Sequence, residues 1–155
     1  MEKFLTLASR IRYEILDIQH SIQRAQKAWI LAQEEADSLY LDSVALNVHN
    51  FYSGLERIFE LIAENIDGIK PQGAQWHQDL LRQMSMEIPE VRPAVISLEL
   101  RDALDEYRAF RHIVRNVYAY KLRIDRMKNL MERLEMIFNK LVEELESFCA
   151  FLEKK

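Results

Sequence analysis

The sequence predicts an all-α protein: an antiparallel bundle of four long helices with one short extra helix. Three observations lead there. Three glycines and three prolines in 155 residues are too few for a protein of strands and turns. The composition instead leans to Leu, Ala, Glu, Arg, Lys and Met, residues that lose little on entering a helix. Apolar residues recur at steps of three and four along four long stretches. The breaks between them carry all three prolines and two of the three glycines, which punctuate helices. The length fits a single domain, 1–155, large enough to bury a real core.

The first stretch runs from about Glu2 to Glu34. Ile11, Ile15, Ile18, Ile22, Ala25 and Trp29 form its stripe, with Arg10, Arg12, Asp17, Gln19 and Arg24 mostly off it. The second, from about Ala36 to Ile66, repeats the rhythm through Leu41, Val44, Val48, Phe51, Leu55, Ile58 and Ile62 until Gly68, Pro71 and Gly73 end it. Residues 74–85 read as the short helix, with Trp76, Leu80, Leu81 and Met84. Pro89 and Pro93 make the next segment a connector. The third long helix begins near Ser97 and runs through Tyr107–Tyr120, with Leu100, Leu104, Tyr107, Phe110, Val114 and Val117 inward. The fourth, Ile124 to Glu153, carries Met127, Leu130, Leu134, Ile137, Leu141, Leu145 and Phe148. An extended coiled coil would share these heptads, but the Pro/Gly connector between the second and third long helices favours a bundle.

The formal charge is −4, which argues against a general nucleic-acid coat. Local basic sites survive that balance, because fields at a surface are set by charges within about 10 Å. The single cysteine, Cys149, excludes an internal disulfide and a cysteine-rich zinc site and belongs on the packed side of the last helix. No apolar run reaches the ~18 residues of a membrane span. The charges in MEKFLTLASRIRYE are too closely spaced for a signal peptide. A soluble, cytoplasmic protein without membrane contact is expected.

The chemistry concentrates in YRAFRHIVRNVYAY, Tyr107–Tyr120. On a helix at about 100° per residue, Arg108, Arg111, Arg115 and Tyr118 fall within roughly an 80° sector beside the apolar stripe. Three guanidiniums on one sector repel one another, and Asp105 and Glu106 compensate only in part. A phosphate or an acidic partner surface would relieve them, because the guanidinium fork matches phosphate oxygens. The plainer alternative is arginines laid over apolar neighbours at a bundle edge.

The run Arg111-His112-Ile113-Val114-Arg115-Asn116-Val117-Tyr118 resembles the signature of the HEPN ribonuclease toxins of the HepT-like family. That signature is an arginine, four to six residues, a histidine, one residue and a tyrosine. Arg111 and Tyr118 match it, and Asn116 stands where the histidine should be. Asp42–Gly68 is similar to the second helix of the same group. The resemblance implies an all-α homodimer whose two motif helices line one cleft, and metal-independent cleavage of RNA, whether transfer RNA, messenger RNA or both. It also implies the toxin half of a type VII HEPN/MNT toxin–antitoxin pair. Its partner would be a minimal nucleotidyltransferase antitoxin able to transfer AMP to Tyr118, with Tyr120 the second acceptor.

Cutting RNA without a metal requires the 2′-hydroxyl to lose a proton and the leaving oxygen to gain one, which suits histidine. Arg111 would stabilise the phosphoryl charge, and Tyr118 would orient the phosphate or a ribose hydroxyl. Arg108, His112 and Arg115 would support them. An amide at Asn116 exchanges no useful proton near neutral pH. This copy is therefore expected to be impaired or inactive. It could be a natural degenerate member, an engineered inactive copy, or a protein in which His112 supplies the missing function. Asn116 lies about 140° from Arg111 on a regular helix, so either the helix distorts or two chains share the cleft; the resemblance favours the second. The alternative function is a non-catalytic helical partner that only binds a nucleotidyltransferase.

Asp17 and His20 have the spacing of a helix-borne metal pair, but no second copy exists, and no metal is predicted. His49 and Asn50 are expected at the bundle edge, and His77 at the surface. The absence of a glycine-rich phosphate loop, a nucleophile elbow or a zinc signature leaves no cofactor predicted.

Overall fold

The computed structural model describes residues 2–155. Helix α1 spans Glu2–Glu34 and α2 spans Leu39–Ile62. The short α3 is Trp76–Met84, α4 is Leu98–Asn116 and α5 is Ile124–Glu153. Helix α1 packs along α2 and α5, and α4 packs against α2, α3 and α5. Paired contacts run in opposite directions along neighbours. Arg12 bonds Glu146 while Ala8 meets Cys149; Tyr107 bonds Leu130 while Ser97 bonds Glu144. The architecture is the predicted antiparallel bundle. None of the described helices is long and apolar enough to cross a membrane.

The stripes of α1 and α5 are buried as their spacing requires, from Leu7 to Ala32 and from Met127 to Leu152. Gly54 sets the approach of α1 to α2: a Cβ there would lie 2.8 Å from Ile18 Cγ1. Ala36 turns the chain with a φ of 50°, and Asp37 Oδ1 accepts from the Leu39 amide at 2.9 Å, so α2 opens three residues later than its expected start at Ala36. Helix α2 is enclosed more widely than one stripe. Tyr52 and Phe59 are as fully buried as Phe51 and Leu55, because α1 covers one side while α3 and α4 cover another.

The end of α2 widens into a π turn, Ala63–Asp67, closed by Gly68 at φ 76°. The expected stop at Gly68 is where the helix stops. The connector beyond it is tightly tied. Glu90 (φ 66°) makes a turn in which Ile88 and Arg92 bridge. Arg92 is only 3% exposed and bonds Asp67 through Nε and Nη2 at 2.6 and 2.8 Å. The amides of Val95 and Ile96 both donate to the Met84 carbonyl. Ser97 then caps α4, its Oγ accepting from the Leu100 amide at 3.1 Å.

The third long helix is shorter than its apolar spacing predicts. It ends at Asn116, and Val117 is extended at φ −129°, ψ 142°. A 3-10 turn, Ala119–Lys121, leads to α5. Val117 is 38% exposed and not inward; Val114 is only partly buried. The Asn116 amide donates to the His112 carbonyl at 2.7 Å, competing with the backbone for the acceptor that the helix's last turn uses. A helix end with so little burial has no packing energy to extend it.

Candidate functional site

A groove of about 360 Å³ runs along the last two turns of α4. Arg108, Arg111, His112, Arg115 and Asn116 line it, with Ala74 and His77 as its opposite wall. The spacing 108, 111, 112, 115 is one helical face. Arg111 and Asn116 sit at its two edges, about 140° apart. Both border the groove within one chain. Tyr118 is not among its lining residues. The helix has ended before it, and Tyr118 is 73% exposed, stacked on Tyr120 with ring centroids 6.0 Å apart. Tyr120 is 81% exposed.

Each arginine is held differently. Arg108 Nε donates to Asp105 at 2.6 Å, which raises its pKa. Arg111 is largely buried. Its Nε donates to Ser53 Oγ at 3.0 Å and its Nη1 lies 3.4 Å from Glu56. Arg115 is exposed and has no ion-pair partner among the described residues. The groove thus carries one fixed guanidinium at its base and one free at its rim, an arrangement suited to a phosphate.

Glu56 is the residue that sequence reasoning missed. It is 3% exposed, reaching Arg111 with one oxygen and His77 Nδ1, at 2.6 Å, with the other. A signal for it existed: Glu56 stands between Tyr52 and Phe59, at helical spacing inside the apolar sector of α2. His77, expected at the surface, is instead half-buried and stacked on Trp76 at 3.7 Å between ring centroids. His112 is exposed and makes no side-chain hydrogen bond among the described residues.

Behind the groove, His49 is half-buried and its Nδ1 has no hydrogen-bond partner among the described residues. Burial lowers its pKa, and the charges of Arg111 and Arg115 lower it further. Tyr52 lies beside it, its hydroxyl without a partner among the described residues, and burial raises its pKa. Asp17 and His20 are exposed on α1, and no metal-binding group of His, Cys, Asp or Glu gathers among the described residues.

No curated protein and no solved structure matches this chain. The family model described as HepT-like protein matches residues 43–152, from the start of α2 nearly to the end of α5 and including the groove. With well over half of its length covered, the chain belongs to the HepT-like family, a HEPN family of toxin type.

Proposed function

We propose that this chain is the toxin component of a HEPN/MNT toxin–antitoxin pair, and that its α4 groove holds the phosphodiester backbone of RNA. The observation that carries the reading is Arg111. It is anchored by Ser53 and Glu56 at the base of a groove whose rim presents Arg108 and Arg115. A guanidinium fixed before the reaction stabilises developing phosphoryl charge without reorganising. Asn116 donates to its own helix and has no proton to exchange near neutral pH, so the motif position in α4 contributes no acid–base catalysis and cutting is impaired.

The reading includes a homodimer. The turn after α4 leaves a groove lined by Phe110, Ile113, Val117, Met127 and Leu130, with Glu106, Lys121, Arg123 and Arg126 around them, on the flank of α4 turned away from the arginines. Covering it with a second copy would set two motif helices side by side. The reading also includes control by a minimal nucleotidyltransferase antitoxin. The exposed Tyr118 hydroxyl forms a bond to the α-phosphorus of ATP, pyrophosphate leaves, and the phenolic proton passes to solvent. The added phosphate would stand beside the arginine rim.

A second reading is favoured by Asn116 and Tyr118 together. An amide bonded back to its helix and a tyrosine outside the groove also suit a non-catalytic partner that presents Tyr118 to a nucleotidyltransferase.

The test incubates this chain and Asn116→His with RNA in EDTA. Greater cleavage by Asn116→His, lost when Arg111→Ala is added, supports the toxin. RNA left intact by both chains, with tight nucleotidyltransferase binding, selects the second reading. For the modification, intact mass after incubation with antitoxin and ATP rises by whole adenylyl units. Gain persisting in Tyr118→Phe moves the acceptor, with Tyr120 next.

A further inference from the structure

We propose that His77 is a catalytic residue of RNA cleavage in the α4 groove, accepting the 2′-hydroxyl proton at Nε2. The proposal rests on the RNA-cleaving reading above and names the group that does the proton chemistry Asn116 cannot.

Four candidates for a proton acceptor stand in or behind the groove. Asn116 is an amide. His49 is half-buried behind Arg111, and burial together with Arg111 and Arg115 disfavours its protonation. His112 is exposed and nothing orients its ring among the described residues. His77 differs from all of them. Its Nδ1 lies 2.6 Å from Glu56, whose side chain is 4% exposed. An ionised carboxylate accepts only, so the contact calls for the hydrogen on Nδ1, and in the neutral ring the lone pair is then on Nε2. The Trp76 indole stacks on the ring and fixes its plane. The imidazole side chain is 26% exposed and lines the groove with Arg108, Arg111, His112 and Arg115. Among the described residues, no hydrogen bond occupies Nε2.

A buried carboxylate behind a histidine sets the tautomer and stabilises the imidazolium that forms when the ring accepts a proton. Here the same carboxylate also holds Arg111. Glu56 is thus a positioning residue shared by the phosphate-binding cation and the base. It places them on one groove, from α4 and α3, without a second chain.

The 2′-hydroxyl proton moves to His77 Nε2 as O2′ forms its bond to phosphorus. The bond from phosphorus to O5′ breaks, and O5′ takes a proton from water in the groove. The hydroxide left behind takes the proton from the His77 imidazolium, and the products are a 2′,3′-cyclic phosphate end and a 5′-hydroxyl end. The charged and titratable groups that face His77 are Glu56 from α2 and Arg108, Arg111, His112 and Arg115 from α4.

The test is single-turnover cleavage of RNA in EDTA by the full chain. His77→Asn keeps a donor where Nδ1 stands, and with it the link to Glu56, but removes Nε2. Its rate is expected to fall about 100-fold or more, while His20→Asn, on the exposed side of α1, cuts as before. The acid limb of the pH–rate profile is expected to flatten in His77→Asn and to persist in His112→Asn. Binding of a 2′-O-methyl RNA, which cannot react, is expected to be unchanged. If His77→Asn does not fold, His77→Gln, which also lacks a basic nitrogen but does not reproduce the Nδ1 donor to Glu56, is read for the loss of rate and of the acid limb.

Cutting by His77→Asn within about threefold of the parent, or with its acid limb intact, overturns His77 and leaves the RNA reading standing. An inert parent beside an active Asn116→His does the same. If both leave RNA intact, the cleavage reading falls and His77 with it.

Discussion

Arg92→Met is expected to cost the fold more than any substitution in the groove. The arginine and its partner Asp67 have side chains 0% and 2% exposed. The guanidinium makes five hydrogen bonds: two to Asp67, at 2.6 and 2.8 Å, and one each to the carbonyls of Met86, Pro93 and Gln83 at 2.8, 3.0 and 3.1 Å. Methionine fills most of the same space but donates to none of these acceptors; of the three carbonyls, that of Gln83 would keep the Met86 amide, at 3.2 Å. Asp67 would keep only the amide of Gln83, at 2.7 Å. Removing one member of a buried pair costs about 3–5 kcal/mol, roughly 6–20 °C in melting temperature for a chain of this size. Urea unfolding monitored by circular dichroism, at one protein concentration, measures it. The double variant Arg92→Met/Asp67→Leu removes both charges and should recover part of the loss, giving a coupling of about 1–3 kcal/mol. A loss below about 1 kcal/mol, or strict additivity in the cycle, would refute the claim that this pair ties the connector to α2.

Helix α2 carries two further tests. Gly54→Ala would raise helix propensity by about 1 kcal/mol at an open site, but here the new methyl meets Ile18 at 2.8 Å. Overpacking should win, with a net loss of about 1 kcal/mol; a thermal melt at or above that of the parent would contradict it. At His49 the folded pKa is lowered from 6.5, so the unfolded chain binds the proton first. Stability from this group is complete above pH 6.5 and is lost as the pH falls through the lower folded value. Melting temperature should therefore decline less steeply with acid in His49→Gln than in the parent, and equal slopes would remove His49 from the account.

The four stripes were legible because burial of a helix face leaves a period that needs no partner to be seen. Ile11 through Trp29 and Met127 through Phe148 went where their spacing put them, except that Leu130 is only partly buried and Met131 is buried next to it. Local chemistry also showed in Gly68, which ends α2 at a positive φ. What spacing could not show was any contact between residues far apart in the chain. Glu56 and His77 are 21 positions apart, and Arg92 and Asp67 are 25; each read alone as an ordinary polar residue. The end of α4 was hidden for a related reason. Val114 and Val117 continue the apolar rhythm, but only the bundle decides whether a neighbour is there to cover them, and Val117 has little cover. Arg108, Arg111 and Arg115 were found on one face because three- and four-residue steps are local geometry. The wall opposite them, which brings His77, is tertiary.

The π turn at Ala63–Asp67 makes the chain length at that point a matter of phase. A wide turn accommodates one residue more than an α-helical turn. Deleting any one of the five would restore α rhythm and swing the downstream chain by about 100°. Asp67 would then face away from Arg92, and α3, with His77 upon it, would lose its mooring. Members of the fold that lack this extra residue would need another anchor for the connector, so insertions and deletions here should be far less exchangeable than in the turn at Ala36.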